Sequence, residues 1–254
     1  MKNLDHRTVL VCGGASGIGA ATAQRLAEEG ARVAIGDMNI AGAGEVAASI
    51  TAGGGEAVAF EYDQADESSI NALVAAATAH FGAIDGLFAN VADLQIIHED
   101  GDLLSNDSAL WTRTLQVNLV GTVMLMRAAL PQMLERGRGV FVLTSSDAGV
   151  VGEPERPAYA ASKAGINSLC RHVASKWGTA GIRCNVVSPG FVLTEQLDAN
   201  MPQDLKDWML KGARSTRHGR SEDVAAAVAF LLSDDGEWVN GQVWRVNGGV
   251  SFAN

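Results

Sequence analysis

The chain has 254 residues, enough for one sizeable core and near the upper size of a single domain. Its 47% hydrophobic and 19% charged residues are ordinary for a globular fold. A net charge of −10, from 19 basic and 29 acidic side chains, argues against a nucleic-acid or anionic-membrane partner, since both call for a basic patch.

Thr8 to Cys12 is a short apolar run bounded by glycines and reads as a buried strand. Gly17 to Glu29 has helical periodicity and stops at Gly30. Arg32 to Gly36 is a second strand with Asp37 after it, and Ile40 to Ile50 a helix broken by Gly53-Gly54-Gly55. Ala57 to Phe60, Glu67 to Phe81 and Ile84 to Phe88 continue as strand, helix, strand. This alternation predicts βαβ units on a parallel sheet. In the second half Ser105 is an N-cap candidate for a helix running through Trp111 toward Asn118. Gly121 to Leu134 follows as a helix, Val140 to Thr144 as a strand, and Pro157 to Trp177 as a long helix with proline in its first turn. Ile182 to Val187 is a strand, Ser221 caps a helix ending near Leu232, and Gln242 to Val246 is the last strand. Two connections resist assignment, Ala92 to Leu104 and Phe191 to Arg220, with a short helix over Asp204 to Leu210 inside the second. No linker divides the chain, so we read residues 1–254 as one dinucleotide-binding and catalytic domain with a lid over 191–217.

Cys12, Cys170 and Cys184 lack paired C-x-x-C spacing, which points to neither disulfides nor a zinc site and fits a reducing compartment. The first residues lack a signal-peptide apolar region, and the longest apolar run, Val224 to Leu232, is too short to span a bilayer. We therefore expect a soluble cytoplasmic protein with no membrane or metal partner.

Between the first strand and helix lies Cys12-Gly13-Gly14-Ala15-Ser16-Gly17-Ile18-Gly19. Glycines permit the tight turn and the close approach of a pyrophosphate, and the helix N-terminus offers free N–H groups. Asp37 stands at the end of the next strand, eighteen residues past Gly19. A carboxylate there accepts from an adenosine ribose and repels a 2′-phosphate. No Arg or Lys stands at Ala15, Ser16, Met38 or Asn39, so NAD is favoured over NADP.

Within the long helix, Tyr159 and Lys163 are four residues apart and share a face. A free phenol ionises near pH ~10, and a neighbouring ammonium favours the phenolate, making the pair a candidate acid/base unit. Taken alone, the spacing favours a surface Tyr and Lys on an ordinary helix, because both residue types are common there.

With both ends in view, the chain resembles the short-chain dehydrogenase/reductase family over essentially its whole length. The glycine spacing, Tyr159/Lys163, Ser146 thirteen residues before the tyrosine, Asn118 in Val117-Asn118-Leu119, and Ser188-Pro189-Gly190 with Thr194 carry the resemblance. Three positions depart from it: Cys12 stands for the usual Thr, Ala89-Asn90-Val91-Ala92 for Asn-Asn-Ala-Gly, and Asn247-Gly248-Gly249 for Asp-Gly-Gly. The resemblance implies a doubly wound Rossmann fold with a seven-stranded parallel sheet, and hydride transfer between a nicotinamide and a carbinol carbon. It implies Tyr159 as acid/base and Lys163 lowering its pKa while holding the nicotinamide ribose. Ser146 would bond the substrate oxygen, and Asn118 would hold a water in a relay through Lys163. Gly13, Ser16, Gly17, Ile18, Gly19, Asp37, Asp63, Gln64, Asn90, Pro189, Gly190, Val192 and Thr194 would contact the cofactor, Asp63 and the following backbone meeting adenine. A homotetramer built partly through the long helix is also implied.

For the substrate, Leu197, Met201, Trp208 and Met209 are apolar lid residues, with Trp208 either closing on a substrate or packing on the protein body. Asp93, His98, Glu99, Asp100, Asp147, Glu153 and Arg156 make the rim acidic, most of them as solvated loop charges. That favours a neutral secondary alcohol or ketone, such as a ring alcohol. A 3-oxoacyl-thioester reductase and a non-catalytic dinucleotide sensor are the alternatives.

Overall fold

The computed structural model describes residues 1–252. Its strands are β1 (Thr8–Cys12), β2 (Arg32–Asp37), β3 (Glu56–Glu61), β4 (Gly86–Ala89), β5 (Gly139–Thr144), β6 (Ile182–Pro189) and β7 (Val243–Val246). They form one parallel sheet in the order β3-β2-β1-β4-β5-β6-β7. The seven-stranded sheet is as the resemblance implies. The order reverses between β1 and β4, the switch point where open parallel sheets leave a crevice above their strand C-termini.

Both faces are covered because the strands are apolar on both sides. On one side Leu10, Leu87, Phe141 and Leu143 pack beneath α3 (Glu67–Phe81), α5 (Gly121–Glu135) and α6 (Pro157–Trp177). On the other, Val9, Val11, Phe88 and Val142 meet α1 (Gly17–Glu28), α2 (Ile40–Ala52) and α9 (Ser221–Leu232). Successive residues of β1, β4 and β5 thus alternate between two cores, as period-two side chains must.

Several boundaries differ from expectation for identifiable reasons. Asp37 is the last residue of β2, in register with Glu61 of β3. Asp107, not Ser105, caps α4 (Ser108–Leu115), its side chain accepting from Leu110 N at 2.8 Å. The Ser105 hydroxyl instead accepts from Asp102 N in the preceding loop. Ser221 is the first helical residue of α9, and Arg220 stands at the cap, its N–H donating to the Asp223 carboxylate at 2.8 Å. The long connection after β6 holds two helices, α7 (Glu195–Asn200) and α8 (Gln203–Gly212), of which the sequence predicts only the second. Thr194, whose hydroxyl accepts from Leu197 N, is the start signal of the first.

Residues 108–135 form one continuous helical stretch long and apolar enough to cross a membrane by length and composition. In this fold its Leu125, Ala129 and Met133 are buried against the sheet.

Candidate active site

The glycine turn between β1 and α1 is built by backbone that side chains would obstruct. Gly13 and Gly17 have φ of 79° and 54°, and a Cβ on Gly19 would lie 1.8 Å from the Gly13 carbonyl oxygen. Ser16 at the cap position makes no side-chain cap bond, and the first turn of α1, which includes Ile18, has no acidic residue. The α1 N–H groups therefore face the crevice with their partial positive charge unopposed, which fits a pyrophosphate. Asp37 closes the other side: its carboxylate accepts from Ala15 N and Asn39 N, both at 2.9 Å, tying β2 to the turn. Each oxygen keeps a lone pair for a further donor. These features fit a dinucleotide.

Asn90 is the bridge from this turn to the catalytic side. Its Nδ2 donates to the Gly13 carbonyl at 3.4 Å, and its Oδ1 accepts from the Thr144 hydroxyl at 3.0 Å. The Thr144 carbonyl in turn accepts from Lys163 Nζ at 2.9 Å. Nothing about Thr144 marked it beforehand, because its part is played by a backbone oxygen at a strand end.

Tyr159 and Lys163 do share a face of α6, with Nζ 5.6 Å from the phenol ring centroid. Ser146, at the turn after β5, lies close enough to the phenol to draw its pKa down, and its Oγ accepts from Ala148 N at 3.2 Å. Ser145 Oγ donates to the Lys163 carbonyl at 3.0 Å, locking that turn onto the helix. The electrostatics correct the simple expectation for the pair. Burial pushes the Tyr159 phenol up, while Ser146 and the Arg156 guanidinium draw it partly back. Lys163 is itself buried and is pushed down to about 8 by loss of solvation. Its ammonium donates to the Thr144 carbonyl at 2.9 Å.

Asn118 lies in a π-helical turn, Gln116–Val120, where α4 passes into α5. Such turns often mark functional positions. Its Oδ1 accepts from Asp93 N at 2.8 Å and its Nδ2 donates to Ser162 Oγ at 3.2 Å, so it joins the loop after β4 to α6. Gln64 braces the same turn from below, donating to the Val117 carbonyl at 2.9 Å and to Thr122 Oγ1 at 3.3 Å while accepting from the Tyr62 hydroxyl. The Gln64 side chain is thus turned into the interior, which leaves only its backbone for the expected cofactor contact. Asp63 is half-buried, its Oδ1 accepting from Ala65 N at 2.8 Å.

Pro189 ends β6, and Gly190 N donates to the Val246 carbonyl. Val192 is buried and bridges to Gly219, and Thr194 reaches the glycine turn, its Cγ2 lying 3.4 Å from where a Gly17 Cβ would be. The structure therefore brings both ends of the predicted cofactor set together. The connection from Val192 to Gly219 is pinched at its neck by Leu193 N donating to the Gly219 carbonyl and by the Phe191–His218 ring contact. Trp208 projects from α8 with 69% of its surface exposed, so it is not packed against the body.

Two rim carboxylates correct the expectation of solvated charges. The Asp93 side chain is buried and pairs with Arg113 at 2.7 Å, and Asp100 is 3% exposed. Asp147 also has defined partners: Asn247 Nδ2 at 2.7 Å and Ser251 Oγ at 2.8 Å donate to it. This accounts for Asn247, because an aspartate there would set two carboxylates against each other. Cys12 is likewise buried, against the Tyr62 hydroxyl, and burial pushes its thiol above the ordinary range.

The family model for enoyl-(acyl carrier protein) reductase matches residues 13–251 of the chain. A probable short-chain type dehydrogenase/reductase of Bradyrhizobium diazoefficiens is 39% identical over 250 residues, covering 98% of this chain and 89% of the relative. The cis-4-hydroxycyclohexanecarboxylate dehydrogenase of Sinomonas cyclohexanicum is 40% identical over 246 residues, covering 97% of each. Among solved structures, the crystal structure of gox2181 superposes with a TM-score of 0.89 at 30% identity, covering 97% of this chain and 96% of that one.

Proposed function

This chain belongs to the short-chain dehydrogenase/reductase family, oxidoreductases acting on alcohols and ketones, and on that premise we propose that it interconverts a neutral ring secondary alcohol and its ketone with NAD. The observation that carries the reading is Tyr159, Ser146 and Lys163 gathered at the C-terminal edge of β5, joined through Thr144 and Asn90 to the glycine turn.

When bound, a nicotinamide dinucleotide supplies the two-electron partner for the carbinol carbon. Gly13, Ser16, Gly17, Ile18 and Gly19 would hold its pyrophosphate, and Asp37 its adenosine ribose. Asp63, Asn90 and the backbone after Asp63 would flank the adenine, while Pro189, Gly190, Val192 and Thr194 face the nicotinamide. Tyr159 takes the hydroxyl proton in oxidation and returns it in reduction. Ser146 donates a hydrogen bond to the oxygen as charge develops there. Lys163 holds the ribose side, and Asn118 orders the relay beside it. Residues 191–217 close over the substrate as part of one domain. The protein works in the cytoplasm as a homotetramer joined partly through α6.

The pH dependence has a definite sign. Oxidation needs the phenolate, and a raised phenol pKa moves its onset upward; reduction needs the phenol and persists to higher pH. The ring alcohol in the name of the Sinomonas relative supports a cyclic substrate, although that one also carries a carboxylate. The acyl-thioester reading takes only its acyl-carrier substrate from the description of the matching family model, which names reduction of an enoyl C=C bond and not of a 3-oxo group. Cyclic secondary alcohols with NAD or NADP, and 3-oxoacyl thioesters with NADH or NADPH, all followed at the reduced-nicotinamide band, separate the two. We expect ring alcohols with NAD to be fastest, and Asp37→Ala to narrow the preference for NAD over NADP by about tenfold or more, the worth of one charge contact. A native enzyme faster with NADP would overturn the role of Asp37.

A further inference from the structure

We propose that Asp100 is a positioning residue for Tyr159: its buried carboxylate, delivered from the loop after β4, caps the first turn of α6 and fixes where the phenol sits. This rests on Tyr159 being the acid/base.

The helix cannot cap itself. Arg156, at the cap position, is left-handed (φ 64°, ψ 46°) and makes no side-chain cap bond. Pro157 has no N–H to satisfy. The remaining first-turn donors both point at Asp100: Tyr159 N lies 2.8 Å from its Oδ2 and Ala158 N 3.3 Å from its Oδ1. Arg156 N is held by the Asp100 and Gly101 carbonyls at 3.0 and 2.9 Å. Asn106 completes the site, its Nδ2 donating to Asp100 Oδ1 at 2.5 Å and its Oδ1 accepting from Gly101 N at 2.8 Å.

Among the described residues no Lys, Arg or His lies within ion-pairing distance of Asp100. The charge is balanced by N–H groups and the positive end of α6. Burying a carboxylate is costly, and a Ser or Asp in an ordinary cap conformation would serve a helix end at less expense. Supplying the cap from 58 and 59 residues upstream makes the start of α6 conditional on the loop. The same loop donates Asp93 N to Asn118. One segment therefore holds two of the proposed catalytic residues, and it bonds to the backbone of Tyr159 itself. A small displacement there moves the phenol, to which the reaction is steeply sensitive.

The test is Asp100→Asn, which keeps the shape but turns one acceptor into a donor facing the helix N–H groups. We expect kcat to fall by about 10- to 100-fold, the cost of an ångström-scale misplacement. NADH affinity, read by fluorescence titration, should stay within about twofold, because the glycine turn is untouched. Amide exchange should quicken in peptides covering 100–106 and 157–163 and stay unchanged in β2 and β3. Asn106→Ala, which loosens the loop but keeps the charge, should show the same pattern more weakly and stands in if Asp100→Asn does not fold. Unchanged exchange at the start of α6, or kcat and cofactor affinity falling together with faster exchange throughout, would overturn the proposal. Tyr159→Phe run alongside separates the premises: turnover surviving in it sinks the acid/base reading, while the exchange data still decide the capping.

Discussion

Ser146 is a short side chain with a large predicted effect. Its hydroxyl is the group that opposes the burial of the Tyr159 phenol most strongly. Ser146→Ala removes that hydroxyl, which favours the charged form, so the phenol pKa rises further. The onset of alcohol oxidation should move to higher pH, and kcat should fall by about 10² to 10³, as for loss of one oxyanion donor. A pH–rate profile checks both, and an onset moving to lower pH would contradict the assignment. The Tyr159/Lys163 pair could be proposed from a spacing of four on one helix, whereas Ser146 entered only through the family resemblance. Asp100 was not legible, since its meaning lies in a bond across 59 residues to a backbone N–H. The raised phenol was also hidden, because a spacing of four gives the neighbour and not the burial.

At the scale of elements, the β1–α1 unit depends on backbone approaching backbone. Gly19 sits against the Gly13 carbonyl so closely that any side chain forces the turn open. Gly19→Ala should weaken NADH binding by at least about tenfold and lower stability by about 1–3 kcal/mol, the usual range for overpacking. Fluorescence titration and thermal melting measure these, and an unaltered affinity would show that the turn does not hold the pyrophosphate. The strands and main helices were readable because apolar runs and glycine stops are local signals. The capping at α4 and the presence of α7 were not, because several polar residues around each could equally have begun a helix. Ser105 had the right chemistry for a cap, but Asp107 stands where the chain turns.

Over the whole molecule, the first strands and helices build the glycine turn and Asp37, and the chain from Asn118 onward supplies Asn118, Ser146, Tyr159 and Lys163. The sheet order sets β1, β4 and β5 side by side, which is why Gly13, Asn90 and Thr144 form one hydrogen-bonded line into Lys163. The N-terminal segment also meets the turn after α9: Arg7 pairs with Asp234, and Asp234 N donates to the Lys2 carbonyl. The central claim is that a phenol held in this line moves the substrate proton. Its most direct measurement compares kcat of the native protein and Tyr159→Phe on the best ring alcohol, with NADH affinity measured on the same samples. The account predicts a loss of at least about 10² in kcat, the scale of a general acid/base contribution, at unchanged affinity. A variant that turns over within tenfold of the native protein while binding NADH equally well would contradict it.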